Sequence, residues 1–171
     1  IKYPTRLSLT LAIAAASGHL AAAPALEEMI VTAQKQEQSI QDVPISMVAF
    51  NSDMLEKLGV QDVKDMAAKV PNLYIKEFPS GGGTTVQLYI RGVGQNDVQI
   101  TQDPSVALYM DGVYIGSSVG TAFETADLAR IEVLRGPQGT LYGRNSTGGA
   151  VNFITRKPTG EFGGKVTGTL G

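Results

Sequence analysis

Residues 130–157 read RIEVLRGPQGTLYGRNSTGGAVNFITRK. Gly136, Gly139, Gly143, Gly148 and Gly149 separate two strand-like runs, and Glu132, Arg135 and Arg144 stand among them. A glycine-rich loop between structured segments can cradle a phosphate. That chemistry needs more than glycine. A Walker loop requires Gly-x-x-x-x-Gly-Lys followed by Ser or Thr, the lysine for the phosphates and the hydroxyl for Mg²⁺. Here the nearest frame ends Gly143-Arg144-Asn145. A dinucleotide fingerprint requires Gly-x-Gly-x-x-Gly between strand and helix. Gly92-Val93-Gly94 is followed at the third position by Asp97 and then by more loop. The glycines therefore serve backbone geometry, with Gly136-Pro137 and Gly148-Gly149 placed for tight turns.

Other reactive groups are sparse. The 171 residues contain no cysteine and one histidine, His19. Asp103, Asp111 and Asp127 lack the D-x-D-x-D-G spacing of a calcium loop. Asp111, before Gly112, reads as a turn residue, and Asp103, before Pro104, as a cap or turn. No catalytic residue, metal ligand or cofactor is expected. The net charge of −2 argues against a nucleic-acid partner, which needs a basic face.

The start of the chain speaks for export. Lys2 and Arg6 precede an apolar run over 7–16, and small residues follow to Ala23-Pro24-Ala25. That is the order of a secretory signal peptide over 1–25, too short to span a bilayer as a helix. Its removal takes His19 and two cations and leaves 12 basic against 16 acidic residues, a net charge of −4.

Residues 26–42 read as a flexible tether around one β-prone stretch, Met29, Ile30, Val31, Thr32 and Ala33. A short apolar strand within a tail suits pairing with the edge of another protein's sheet. The folded part spans 43–160. Strands are expected over 45–50, 73–76, 86–90, 131–134 and 151–155, with a hairpin over 106–115 turning at Asp111-Gly112. A helix capped by Asn51 or Ser52 ends at Gly59, and a second covers 60–69. The fold class is α+β: a small mixed sheet of four to five strands, short helices to one side and long loops at one end. Alternation of Val166, Gly168 and Leu170 starts another strand over 161–171. Charges inside apolar strands, Glu132 and Arg135 with Arg91 after the strand 86–90, need partners or a solvated face.

The segment 130–157, preceded by LYIRGVG and SVALYMDGVYIG, resembles the plug domain of TonB-dependent outer-membrane receptors. EEMIVTAQ is similar to that family's TonB box. The resemblance covers most of the mature chain. It implies a plug inside a large β-barrel in the outer membrane, with residues 161–171 beginning the first barrel strand. It implies that TonB, with its inner-membrane energising complex, captures residues 29–33 by strand addition. Arg91, Glu132 and Arg135 would face barrel carboxylates and each other, locking plug to barrel. Cargo would meet three loops, represented by Ser80, Gly81, Gly82 and Gly83, by Gln95, Asn96, Asp97 and Gln99, and by Gly116, Ser117 and Ser118. The implied function is energised import of a ferric siderophore complex. The alternatives are a carbohydrate, vitamin or other small compound on the same architecture, or a soluble periplasmic binding module.

Overall fold

The computed structural model describes residues 28–78, 85–97, 102–117, 127–158 and 160–164. The signal peptide expected over 1–25 lies outside them. Of the barrel strand expected over 161–171, residues 161–164 are not in a strand and the rest lie outside the described residues.

Among the described residues ten short strands form three sheets. The largest joins β3 (Met47–Asn51), β9 (Leu128–Arg135), β10 (Gly149–Thr155), β7 (Val106–Met110) and β8 (Val113–Ile115), in that spatial order. β10 runs parallel to β7, and every other pair in this sheet is antiparallel. The mixed five-stranded sheet matches the expected class. β4 (Leu73–Glu77), β5 (Val86–Ile90) and β6 (Val93–Gly94) instead form a separate antiparallel sheet. β1 (Ile30–Val31) pairs with β2 (Gln38–Ser39) as a two-stranded hairpin.

Both faces of the five-stranded sheet are buried, and the period of two along each strand sorts the side chains. Phe50, Leu108, Ile131, Val133, Val151 and Phe153 point to one face. There they pack with Leu55 of α1 (Ser52–Lys57), Val63 and Met66 of a 3-10 helix (Val63–Ala68), and Val86, Leu88 and Ile90 of β5. Ala49, Ala107, Tyr109, Leu134 and Ala150 point to the other face. Val31 and Ala33 of the N-terminal hairpin cover it together with Tyr142 of α2 (Gly139–Tyr142).

Local signals explain the helix ends. The Asn51 side chain accepts from the Met54 N–H at 2.8 Å, which caps α1. The helix expected over 60–69 is shorter and tighter. Asp62 and Asp65 form a reciprocal capping box, so the turn starts at Val63 and continues as 3-10. In the β7–β8 hairpin, Asp111 and Gly112 have φ of +49° and +83°, as a type I′ turn requires.

Candidate functional site

Strand alternation places Arg130, Glu132 and Leu134 on the face that the N-terminal hairpin covers, and Arg135 on the opposite one. Glu132 is 0 % exposed. Its Oε1 accepts from the Thr32 N–H at 2.8 Å, the Thr32 hydroxyl at 3.2 Å and the Arg130 Nε–H at 2.8 Å. Asn152 Nδ2, paired across on β10, donates to Oε2 at 3.3 Å. A buried carboxylate needs a cationic partner and several donors to offset its lost hydration. Arg130 and Thr32 supply them.

Tyr142 completes the contact. Its hydroxyl donates to the Ala33 carbonyl at 2.7 Å and accepts from Asn152 Nδ2 at 2.9 Å. Tyr109 in turn donates to the Tyr142 carbonyl at 2.7 Å. Burial raises the Tyr142 hydroxyl above its ordinary pKa, and the Asn152 hydrogen bond only partly offsets this. Tyr142 therefore stays neutral and able to donate.

Within residues 29–33, Ile30 and Val31 form the two-residue strand β1, which pairs with β2. Val31 and Ala33 are fully buried, and Ile30 is 43 % exposed. Beside the docked segment lies a cavity of about 510 Å³. Thr32, Arg130, Tyr109, Tyr142 and Asn152 line it, and its lining extends to Asp111 and Lys157, beyond the ends of β7 and β10.

The three expected plug–barrel charges separate into two places. Glu132 meets Arg130, not Arg135 or Arg91, because residues 132 and 135 lie on opposite faces of the same strand. Arg91 turns at φ +53° after β5, donating its N–H to the Asn72 carbonyl. Its Nη1 lies 3.4 Å from where a Cβ on Gly136 would stand, beside the end of β9. Among the described residues neither Arg91 nor Arg135 forms an ion pair, and the Arg135 Nε is buried without a hydrogen-bond partner.

The described parts of the expected cargo loops lie at the end where β7 and β10 begin. The Gln87 side chain donates to the Asn96 carbonyl at 2.9 Å, and the Tyr89 hydroxyl lies 2.9 Å from the Gln95 carbonyl and from Asn96 Oδ1. Gln95 reaches Gln102 at 3.1 Å. Asp97, Gly116 and Ser117 are exposed. Ser80, Gly81, Gly82, Gly83, Gln99 and Ser118 lie outside the described residues. Reading the loops alone missed the aromatics at their roots, Tyr89 and Tyr114. Asp103, expected as a cap or turn, ion-pairs with Arg144 at 2.9 Å. Among the described residues no group of His, Cys, Asp and Glu could hold a metal, and no helix is long and apolar enough to cross a membrane.

Residues 39–150 match the model of the TonB-dependent receptor plug domain, and the chain belongs to that family. It is 34 % identical over 171 residues to an iron-regulated outer membrane virulence protein of Vibrio cholerae, matching 95 % of this chain and 25 % of the relative. It is 33 % identical over 141 residues to the pesticin receptor of Yersinia pestis, covering 82 % of this chain and 20 % of that one. The crystal structure of the ferric yersiniabactin uptake receptor FyuA from Yersinia pestis superimposes with a TM-score of 0.57 at 33 % identity. That match covers 67 % of this chain and 17 % of FyuA. A vitamin B12 transporter of Vibrio vulnificus is 28 % identical over 146 residues, covering 82 % of this chain and 22 % of its own. The chain spans about a quarter or less of the length of these relatives. They are named as receptors, a transporter and an outer membrane protein, and none by an enzymatic activity.

Proposed function

We propose that this chain is the plug of an outer-membrane receptor that imports a ferric siderophore complex, energised by TonB. The observation that carries the proposal is the apolar segment at residues 29–33, of which Ile30 and Val31 form β1. It is a separate N-terminal element held to the plug face by side chains, so it can leave without unravelling the five-stranded sheet. Strand addition to a partner's sheet edge uses main-chain N–H and C=O groups and gains register from alternate side chains. Residues 29–33 supply such a segment. Arg91 and Arg135, without an ion pair among the described residues, would meet carboxylates of the surrounding barrel. Iron as cargo is supported by the Vibrio and Yersinia relatives. The vitamin B12 transporters among the relatives favour a second reading, a cobalamin-like cargo on the same architecture. The function is transport, with no covalent step.

Uptake of radiolabelled ferric chelates by cells expressing the full receptor tests this. Accumulation that requires TonB supports the proposal. Accumulation of labelled vitamin B12 instead supports the second reading. Uptake that is unchanged without TonB refutes energised import.

A further inference from the structure

We infer that Glu132 is the latch that holds residues 29–33 on the plug, and that the latched segment cannot be captured by strand addition. This rests on the reading of residues 29–33 as the TonB-binding strand, and it adds the residue that controls its availability. Several of the main-chain groups that a partner strand would use are already occupied. The Thr32 N–H donates to Glu132 Oε1, and the Thr32 carbonyl accepts from the Lys35 N–H at 2.8 Å. The Ala33 carbonyl accepts from the Tyr142 hydroxyl, and the Met29 carbonyl accepts from the Ile40 N–H at 2.9 Å. Docking and capture therefore compete for the Thr32 N–H and the Ala33 carbonyl.

Among these bonds the Thr32–Glu132 contact is set apart by charge. A hydrogen bond to an ionised group contributes about twice a neutral one. Glu132 is also the point where the segment meets the main sheet. It shares Arg130 with Thr32, whose hydroxyl accepts from Arg130 Nη2 at 3.1 Å, and it shares Asn152 with Tyr142. Release of the segment removes two of the donors on a buried carboxylate and opens it to water from the adjoining cavity. A small shift of β9 that draws Glu132 away from Thr32 would free the strand, so β9 sets how often it is presented. Glu132 acts here as a positioning residue.

The test uses the full-length receptor in lipid vesicles, with a spin label on a cysteine introduced at Ile30. Glu132→Gln removes the charge. Glu132→Asp keeps the charge for Arg130 but shortens its reach to Thr32. The expected result for both is a rise of roughly tenfold or more in the mobile, undocked component. TonB capture of cargo-free receptor should tighten in step, while binding of the ferric chelate stays as in the parent. A label that remains immobilised in both variants would overturn the latch. So would mobility gained only together with loss of chelate binding, which would mean general loosening. If Glu132→Gln does not assemble, Glu132→Asp decides alone. The label signal needs no TonB. Absence of TonB capture by the parent would sink the reading of residues 29–33 as a TonB-binding strand, and that failure is distinct from a failure of the latch.

Discussion

Gly149→Ala should destabilise the plug more than any conservative surface change. Gly149 opens β10 between Arg135 of β9 and Val106 of β7, at φ +149°. A Cβ there would stand 2.2 Å from the Leu134 carbonyl oxygen and 2.9 Å from Ile90 Cδ1. The isoleucine methyl can rotate. The carbonyl cannot move cheaply, because Leu134 is paired with Ala150 on one side and Met47 on the other. Overpacking of this kind costs about 1–3 kcal/mol, and an unfavourable φ for an L-residue costs a similar amount. The sum is roughly 2–6 kcal/mol, a large part of the ~5–15 kcal/mol that holds a domain together. Pulse proteolysis of the plug across a urea series should show its midpoint fall by more than about 1 M. Gly139→Ala is the control. It lies in α2, a Cβ added there would meet no atom within 4 Å, and replacing glycine in a helix gains about 0.5–1 kcal/mol. A Gly149→Ala plug within about 0.5 kcal/mol of the parent would refute the argument that this glycine is fixed by close backbone approach.

Three further outcomes are expected. The Asp65 carboxyl is held below its ordinary pKa by the N–H groups of Gln61 and Asp62. Its support for the 3-10 turn is therefore complete above the unfolded value and is lost as pH falls through the lower folded value. Amide exchange at Gln61 and Asp62 should speed up only in acid, below about pH 4, and Asp65→Asn should abolish that dependence. Asp111→Ala removes the acceptor for the Thr155 N–H at 2.9 Å and its hydroxyl at 2.8 Å, and places alanine at positive φ. A loss of about 1–3 kcal/mol is expected in the same urea assay, whereas Asp111→Asn should retain most of the turn. Asn51→Ala should cost about 1 kcal/mol by uncapping α1, and Asn51→Ser should restore most of it.

Local chemistry made much of the fold legible. Asn51 and Gly59 bracket α1, and Asp111-Gly112 marks the hairpin, because each acts on its immediate neighbours. The start of the 3-10 turn was written in the Asp62–Asp65 spacing but was outweighed by the apolar period across 63–70. The separate sheet of β4, β5 and β6 was not legible, since strand pairing between sheets leaves no local mark. The charged residues are instructive. Counting by twos along β9 puts Glu132 with Arg130 and away from Arg135, so the correct partner was readable from the sequence alone. Docking of residues 29–33 was not. Their polar flanks look like a free tail, and the groups that hold them are supplied by β9, α2 and β10.

The bond between Thr32 and Glu132 spans 100 residues of sequence. The cost of closing so long a loop must be met before the contact returns anything, so such contacts form late in folding. Residues 29–33 are synthesised well before β9 and β10, yet their seat exists only after those two strands have paired. Throughout assembly the strand is therefore uncovered, with its apolar side chains and free backbone groups open to any sheet edge nearby. Two residues of β1 expose less edge than a longer strand would, which limits mispairing in that interval. Docking of the strand then reports that the sheet beneath it is complete.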